Sequence, residues 1–587
     1  MYILGLSFDY HDAAAALISD GAIVAVAQEE RFSRVKHDAR LPKRAIAFCL
    51  EEADINADQL DAVCFYENTT VKLDRILRSS FSGCGIDVSV LNRTVQSWMQ
   101  GGKLCFRQRI AEATGIAPDK IFTTSHHQAH TASAYFCSPF QEATIITIDG
   151  VGELETMTVS IGRGSVIEKV FSVNFPDSVG LLYSAFTAFL GFEVNEGEYK
   201  VMGMGAFGRP VHVERIRALV ELLPDGGFRV DQSYFNFNAP EVYPFTDKLV
   251  KAFGEPRVPD TVFDVDSNDP EVVKNSLHYA DIAASVQAVT EELIMHIVSM
   301  AIARTGIRQV AMAGGVALNS LANGKIQREL GIELFIQPSA GDSGGALGTA
   351  LWYAYAVAGL PRHAAMNSAF LGKSWTNEGV EAELRSAGVK SYRRFDDIEE
   401  LLDIVAGLLQ EKAIIGWMHG RSEWGPRSLG ARTIIANPLF PETKSIVNEK
   451  IKFREPFRPF APAVLAERAH EYFEIPPNLP PHAPESFMLA VAPVREEHKT
   501  TIPAVTHADG SARVQLVHKA ISPRFHALIE HFGRKTGVPV VLNTSFNLRG
   551  EPIVNSPYDA LRTFSWSGID YLVLENFLIT KKDIAWR

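Results

Sequence analysis

Residues 1–28, MYILGLSFDYHDAAAALISDGAIVAVAQ, carry the pattern that decides the fold. Residues 1–8 are apolar and rich in residues that favour strands, and a polar turn with His11 and Asp12 follows directly. Two further apolar segments then meet at the turn Ser19-Asp20-Gly21. The spacing predicts three successive strands, with His11 and Asp12 placed just after the first.

The same pattern occurs a second time at residues 144–174. There TIITIDGVGE is followed by TMTVSI, the turn Gly162-Arg163-Gly164 and SVIEKVFSV. A strand, a polar turn and a hairpin used twice predict an α/β domain built by duplication, with a ligand between its halves. A duplicated, RNase H-like arrangement of this kind resembles the actin/hexokinase architecture. Two unrelated hairpins in a mixed sheet are the alternative.

Composition places the chain among large globular proteins. It has 587 residues, of which 46% are hydrophobic and 21% charged, so we expect two to four domains of roughly 100–200 residues each. This composition excludes a disordered chain, a coiled coil and a collagen-like fibre. A net charge of −12 argues against a nucleic-acid partner.

Targeting signals and cysteine use predict a cytoplasmic protein. The first residues lack the basic start of a signal peptide, and the five cysteines show no CxxC spacing. The uncharged stretch 343–361 fits a buried helix that opens with glycines better than a membrane span. We therefore expect no membrane partner.

Composition shifts near residues 360–375, which predicts a domain boundary. The expected domains are residues 1–362 and 375–575, followed by a tail, 576–587, that packs back on the first domain. The proline-rich stretch 476–484 is expected to be a surface loop or lid.

Two histidines and two aspartates predict a metal site. His126 and His130 are four residues apart, so on a helix they project from one face. Asp149 ends an apolar strand, and Asp342 lies in the turn Ala340-Gly341-Asp342-Ser343-Gly344. A set of two imidazoles and two carboxylates suits Fe(II), Mn or Zn. Ordinary histidines and carboxylates that cap turns are the alternative.

A basic segment follows in the second half of the chain. Its cations are Arg421, Arg427, Lys452, Arg454 and Arg458. Interleaved aromatic residues predict partial burial, and buried cations need anions such as phosphate or carboxylate. With VVLNTSFNLRGEP at 540–552, the segment predicts a nucleotide or acyl-phosphate pocket. A salt-bridged surface is the alternative. Gly314-Gly315, between a strand and a helix, is a weaker candidate for phosphate binding, because tight turns need glycine anyway.

Motifs along nearly the whole chain resemble a known family. They include EERFSRVKHD, HHQAHTASAY, EGEYKVMG, AGGVALN, GDSGGALG, GRSEWGPRSLG, FREPFRPFAP and NTSFN. Together they are similar to the O-carbamoyltransferase family that contains nodulation protein U and the cephalosporin and tobramycin carbamoyltransferases.

The resemblance implies a site in each of two domains. The first domain would be actin-like and would bind iron, Fe(II) or another divalent metal, through His126, His130, Asp149 and Asp342. The second would be a YrdC-like, adenylate-forming domain. Its signature, Lys-x-Arg followed by Ser-x-Asn, matches Lys452-Phe453-Arg454 and Ser545-Phe546-Asn547.

The resemblance also implies a reaction. ATP, with Mg2+, and carbamoyl phosphate would give carbamoyl-adenylate in the second domain, with Arg427 and Lys452 catalytic. The residues binding the nucleotide and carbamoyl phosphate would be Arg421, Arg427, Lys452, Arg454, Arg458, Arg513, Asn543, Ser545 and Asn547. In the first domain, the adenylate would be held by Lys200, Gly203, Gly314, Gly315 and Asn319. There the catalytic residues would be His11 and Asp12, with His11 as the base that deprotonates a hydroxyl of a natural product.

Three rival functions are weighed against this one. A tRNA threonylcarbamoylation enzyme is disfavoured by the acidic net charge. A sugar-kinase-like ATPase does not explain the second basic pocket, and an iron-binding assembly factor does not need the nucleotide motifs. The sequence does not identify the acceptor, although the acidic net charge slightly favours a cationic one. Residues 66–115 could shape its pocket or a subunit contact, and a homodimer is expected.

Overall fold

The computed structural model describes residues 1–81, 92, 95–96, 98–99, 102–237, 243–363 and 365–584. The chain forms two compact units. The first comprises residues 1–26 and 39–365, and the second comprises residues 27–38 and the chain from Met366 onward.

The first unit is built on two five-stranded sheets. One has the order β3-β2-β1-β4-β5 and the other the order β12-β11-β6-β7-β8, with a separate β9-β10 hairpin. The strands are β1 (Tyr2–Ser7), β2 (Ala14–Ser19), β3 (Ala22–Gln28), β4 (Ala62–Phe65), β5 (Ile121–Thr123), β6 (Glu142–Ile148), β7 (Glu155–Arg163), β8 (Val166–Asn174), β9 (Val220–Leu222), β10 (Phe228–Val230), β11 (Gln309–Ala313) and β12 (Glu333–Ile336).

The sequence repeat corresponds to a structural repeat. β1 pairs antiparallel with β2 and parallel with β4, and β6 pairs in the same way with β7 and β11. Each sheet therefore has a three-stranded meander extended by two parallel strands. The polar turns after β1 and β6 occupy equivalent places, which puts His11 and Asp149 at corresponding strand ends.

Helices connect these strands. Those described up to residue 365 are α1 (Glu30–Ser33), which belongs to the second unit, α2 (Lys43–Glu52), α3 (Thr69–Phe81), α4 (Phe106–Thr114), α5 (His126–Cys137), α6 (Val179–Phe189), α7 (Glu198–Gly205), α8 (Val213–Arg217), α9 (Asp247–Phe253), α10 (Pro270–Thr305), α11 (Ser320–Leu330) and α12 (Ser343–Trp352). Among described residues, α10 is the one helix long and apolar enough to cross a membrane, and half of its most apolar window is buried inside the protein.

Glycines let α12 approach its neighbours closely. A Cβ added at Gly5 would lie 1.9 Å from the carbonyl oxygen of Ala346, and one added at Gly348 would lie 1.9 Å from that of Ala129. Strand β1, helix α5 and helix α12 are thus packed backbone to backbone. The prediction of a buried helix within 343–361 is confirmed, since α12 is buried almost throughout. This packing brings the start of α12 beside the start of α5.

The second unit has an eight-stranded mixed sheet, in the order β13-β22-β21-β14-β15-β20-β16-β19, and a β17-β18 pair. Its strands are β13 (Arg393–Arg394), β14 (Ile415–Met418), β15 (Arg432–Ala436), β16 (Ala461–Leu465), β17 (Val491–Pro493), β18 (Ser511–Arg513), β19 (Gln515–Val517), β20 (Val540–Ser545), β21 (Tyr571–Leu574) and β22 (Phe577–Thr580). Its further helices are α13 (Asn377–Ser386), α14 (Ile398–Gln410), α15 (Glu442–Val447), α16 (Ala469–Tyr472), α17 (Pro523–Thr536) and α18 (Pro557–Ser565). Two apolar clusters form its core, one of which includes residues of α14 and α17.

The end of the described chain contributes a strand to the second unit. Residues 577–580 form β22, which pairs with β21 and β13 inside the second unit's sheet. Phe577 and Ile579 are buried there, so this part of the predicted tail, 576–587, belongs to the second unit's sheet. Residues 577–579 are three consecutive apolar residues, as is typical of a strand buried within a sheet.

An N-terminal segment, residues 27–38, also belongs to the second unit. The guanidinium of Arg34 donates hydrogen bonds to the carbonyls of Pro552 and Ile553, at 2.9 and 2.7 Å. It also lies 3.4 Å from a carboxylate oxygen of Asp559. The second unit is therefore assembled from two distant parts of the sequence, whereas the predicted first domain was continuous from residue 1 to 362.

Candidate active site

Helix α5 presents two imidazoles to one point. The Ser125 hydroxyl caps the helix by accepting the N–H of Gln128 at 3.3 Å. His126 and His130, one turn apart, have their Nε2 atoms 3.1 Å from one another, and both side chains are buried. The i, i+4 spacing that predicted a shared face is thus confirmed.

Two carboxylates complete this cluster. An Asp149 oxygen lies 2.8 Å from Nε2 of His126 and 3.8 Å from that of His130. An oxygen of Asp342, at the start of α12, lies 3.6 and 3.7 Å from the same two nitrogens. All four groups are buried, and their ligand atoms lie within 4.8 Å of one another.

The geometry fits a divalent metal ion. Bonds of about 2.1 Å place neighbouring ligand atoms about 3.0–3.4 Å apart, close to the distances observed here. The second oxygen of Asp342 is buried without a hydrogen-bond partner among the described residues. Burial lowers the pKa of His126, but Asp342 and Asp149 outweigh it and raise that pKa to about 9. The carboxylates thus strongly favour a cation in this cluster.

His127 lies outside the ligand cluster. Its Nδ1 is 2.6 Å from the Thr147 hydroxyl, and burial lowers its pKa to about 3. A neutral imidazole that bonds to strand β6 is a structural group.

The glycine turn after β11 holds Asp149 in place. The N–H of Gly315 donates to an Asp149 oxygen at 2.9 Å. Gly314 has φ 93°, and a Cβ there would lie 2.3 Å from the carbonyl oxygen of Ile148. Both glycines therefore have a role at the metal-type cluster, and their predicted contact with an adenylate stays a prediction.

Glu153 is a site residue that the sequence reasoning missed. Its carboxylate accepts the backbone N–H of His126 at 2.9 and 3.0 Å and that of Asn68 at 2.6 Å. It is buried, and burial raises its pKa. Glu153 thereby fixes the start of α5, where the first ligand stands. Its position four residues after Asp149 was the available signal.

His11 lies directly beside the cluster. Its Nε2 is 3.8 Å from an Asp342 oxygen, and its Nδ1 is 3.0 Å from an oxygen of Asp12. Burial lowers the pKa of His11, but Asp342 and Asp12 raise it to about 9. An Asp12 carboxylate that accepts from Nδ1 would orient the ring, so that Nε2 is directed towards the cluster.

The remaining first-unit residues lie on separate elements. Lys200 and Gly203 are in α7, and the Lys200 ammonium lies 5.5 Å from the centre of the Phe192 ring. Asn319 caps α11 by accepting the N–H of Ala322, and its amide also pairs with that of Gln287. In this structure the Asn319 side chain therefore serves the fold.

The second unit contains a buried ammonium group. Lys452 Nζ donates to the carbonyl and hydroxyl oxygens of Ser545, at 2.5 and 3.1 Å, and to the carbonyl and side-chain oxygens of Asn547, at 3.0 and 2.7 Å. Burial, together with Arg454 and Arg458, holds its pKa well below the usual lysine range. Two sequence segments about 90 residues apart, predicted to form one pocket, thus meet at one atom.

Arg454 and Arg458 act on this lysine, and Arg454 has further cationic neighbours. Arg454 donates to the Asn448 amide oxygen at 2.7 Å, and its guanidinium lies 4.6 Å from the centre of the Phe460 ring. Lys444 lies close to Arg454, and His507 lies close to Lys444 and Arg513. Burial and these two cations outweigh Asp509 and lower the pKa of His507 to about 4. Lys444 and His507 were not predicted, because neither belongs to a recognisable motif.

Other predicted pocket residues support the loop around them. Arg421 donates to the carbonyls of Leu371 and Gly372. The buried Asn543 amide donates to the Ser428 carbonyl and to Gln515. In the same loop, which also carries Arg427, the carboxylate of Glu423 accepts three backbone N–H groups. Arg421 and Asn543 thus shape the loop in this structure, and their contact with a ligand stays a prediction.

Comparison with known proteins assigns the chain to a family. Residues 2–351 match the family described as "Carbamoyltransferase N-terminus", and residues 406–581 match the family described as "Carbamoyltransferase C-terminus". The chain belongs to the carbamoyltransferase family. It is therefore an enzyme of the carbamoyltransferase class, and the predicted resemblance is confirmed.

Relatives of this carbamoyltransferase extend over its full length. An uncharacterized protein of Synechocystis sp. is 40% identical over 99% of this chain and 97% of its own. Nodulation protein NolNO of Sinorhizobium fredii is 34% identical over 97% of this chain and 79% of its own. Nodulation protein U of Rhizobium tropici is 26% identical over 100% of this chain and 97% of its own.

Solved structures show weaker likeness. The ROK hexokinase from Thermus thermophilus is 14% identical and covers 60% of this chain and 98% of its own, with a TM-score of 0.29. Full-length HypF in the phosphate- and nucleotide-bound form is 12% identical and covers 60% of this chain and 55% of its own, with a TM-score of 0.32.

Proposed function

We propose that this carbamoyltransferase activates its carbamoyl group as an adenylate in the second unit, a YrdC-like domain. Water cleaves carbamoyl phosphate to carbamate and phosphate. A carbamate oxygen then attacks the α-phosphorus of ATP, which is bound with Mg2+, and pyrophosphate leaves. The observation that carries this proposal is the buried Lys452 side chain, which is fixed by Ser545 and Asn547 close to Arg454 and Arg458. An anionic ligand such as a phosphate would stabilise the charged form that burial disfavours.

The carbamoyl group is then transferred in the first unit, an actin-like domain. A hydroxyl oxygen of a natural product attacks the carbamoyl carbon, the bond to the AMP oxygen breaks, and AMP leaves. In the neutral form of the imidazole, His11 Nε2 takes the hydroxyl proton, and Asp12 orients the ring. A cation held by the neighbouring cluster would offset the carboxylate charge of Asp342 that raises the pKa of His11. The proposed partners are thus ATP, carbamoyl phosphate and a hydroxyl-bearing small molecule, in a cytoplasmic enzyme.

The residues His126, His130, Asp149 and Asp342 would hold a divalent metal, with Fe(II) the proposed ion. When bound, the ion would supply a Lewis acid and a fixed positive charge. The chain's own contribution is to hold these four groups rigidly: Gly315 orients Asp149, and Glu153 fixes the backbone of His126.

Pyrophosphate release tests the first step directly. Purified protein is given ATP with and without carbamoyl phosphate, and no acceptor. We expect release that depends on carbamoyl phosphate. Release only with bicarbonate and threonine in its place would favour the tRNA-type reaction instead, and absence of release under all conditions would contradict the proposed adenylate.

His11→Asn is expected to separate the two steps. Because His11 lies in the first unit, pyrophosphate release should stay within about twofold of the native rate. Carbamoyl transfer to a panel of hydroxyl compounds should fall by about 10²–10⁴-fold, the usual contribution of a general base. Transfer is measured with radiolabelled carbamoyl phosphate. The control is His363→Asn, an exposed histidine, and equal loss of both steps in His11→Asn would argue against a base role.

A further inference from the structure

A group of cations lies near His11 on the first half of the first unit. It consists of Lys72 and Arg75 on α3, Lys103 in the turn before α4, and Arg109 on α4. We call these four residues the basic face. The turn with Lys103 packs against both α3 and α4, so the four belong to one surface.

Only part of this charge is neutralised. Arg109 forms a two-bond ion pair with Asp9, at 2.6 and 2.9 Å, and Lys72 bonds to Glu67 at 2.6 Å. Arg75 has no carboxylate within ion-pair distance among the described residues. Glu153 and Glu67 act on Arg75 only electrostatically.

Arg75 is held ready for an anion. Its guanidinium lies 5.0 Å from the centre of the Phe175 ring, which fixes its plane. Its Nε is buried, and no described residue accepts a hydrogen bond from it. Lys103 donates to the Asp9 carbonyl at 2.7 Å, and burial and nearby Lys72 lower its pKa. These cations are partly desolvated, and an anion would restore favourable interactions.

The basic face adjoins the proposed transfer site. The Tyr10 ring lies 4.6 Å from the His11 ring, and the Lys72 ammonium lies 5.1 Å from the centre of the Tyr10 ring. Arg75 follows Lys72 by three residues, about one helical turn along α3. Tyr10 is 51% exposed, and its ring lies close to both His11 and Lys72.

We propose that the acceptor of this carbamoyltransferase is a hydroxyl compound that also carries an oxyanion, a carboxylate or a phosphate, bound by Arg75 and Lys103. This inference rests on the proposed transfer at His11. It replaces the expectation of a cationic acceptor, which followed from the net charge alone, because local charge and not net charge determines which ligand a pocket binds. Within the proposal, Arg75 and Lys103, which lie in segment 66–115, recognise the acceptor.

Direct binding tests the proposal. Calorimetry on the full-length protein compares glycerol with glycerol 3-phosphate, and glucose with glucose 6-phosphate and glucuronate. We expect each charged compound to bind at least about tenfold more tightly than its neutral partner, as charge-assisted hydrogen bonds predict. Comparison of glucose 6-phosphate with glucuronate separates phosphate from carboxylate. Equal binding of charged and neutral compounds would overturn the proposal.

Variants locate the preference. Arg75→Met keeps the apolar stem of the side chain. It should reduce the ratio of the affinities for the charged and the neutral compound to about twofold or less, and Lys103→Met should reduce this ratio in part. The matched control is Arg78→Met, an exposed residue on the same helix that pairs with Asp74, and it should keep the native ratio. A ratio unchanged in Arg75→Met and Lys103→Met would overturn the assignment.

AMP binding distinguishes the acceptor from the nucleotide. If the basic face served the adenylate, Arg75→Met would weaken AMP as much as glucose 6-phosphate, and this outcome would overturn the proposal. Pyrophosphate release is measured in the same preparations. Absence of pyrophosphate release in the native protein would count against the proposed adenylate step. Absence of tighter binding of charged compounds by the native protein would count only against the proposed acceptor class.

Discussion

Lys452→Met is expected to reduce pyrophosphate release, measured with ATP and carbamoyl phosphate, by at least about 100-fold. The side-chain ammonium is fixed by four oxygens of Ser545 and Asn547. Removing a fixed cation from a site where phosphate charge develops typically costs about 10²–10³-fold in rate. Met retains the buried stem, so the loss reports the charge and not a cavity.

Lys450→Met is the matched control, because this neighbouring lysine is exposed. It should release pyrophosphate at the native rate. Since Lys452→Met leaves the oxygens of Ser545 and Asn547 without their donor, circular dichroism and urea unfolding check that the second unit still folds. A folded Lys452→Met variant with native release would remove Lys452 from the reaction.

The duplicated first unit could be predicted because its signal is local. Each half begins with an apolar segment that favours a strand, followed by a polar turn and a hairpin with glycine, and these features depend on neighbouring residues alone. The cluster of possible metal ligands could also be predicted from the sequence. His126 and His130 show their shared face by spacing, while Asp149 and Asp342 stand at the end of a strand and the start of a helix.

The composition of the second unit could not be predicted in the same way. Residues 27–38 join it through bonds such as that from Arg34 to Ile553, across more than 500 residues. No local pattern reports such a contact. The strand at 577–580 is only four residues long, so its apolar run was too short to distinguish a strand from a tail.

Glu153 and Lys444 show a second limit of sequence reasoning. Glu153 acts by accepting backbone N–H groups, which every residue provides and no motif marks. Lys444 matters only because folding brings it close to Arg454. Motifs therefore identified residues whose side-chain type is distinctive, whereas supporting residues emerged only from the geometry.

His130→Ala is expected to remove bound metal and to abolish carbamoyl transfer, while pyrophosphate release in the second unit continues. The loss follows because His130 Nε2 lies within 3.1–3.8 Å of three other ligand atoms, all buried. Without His130, only three of the four ligands remain, and they bind a metal ion less tightly. Elemental analysis measures the metal, and radiolabelled carbamoyl transfer measures activity.

His127→Gln is the control for this variant. It lies on the same buried helix and bonds to Thr147 instead of joining the cluster, and Gln can keep that bond. We expect native metal content in His127→Gln and less than about one tenth of it in His130→Ala. Loss of a residue that only supports a ligand typically lowers metal affinity by about 10–100-fold, so loss of a ligand itself should lower it at least as much. Full metal content in His130→Ala, or equal loss in both variants, would contradict the proposed ligand set. Metal loss confined to His130→Ala would show that the face of α5, and not merely its burial, determines metal binding.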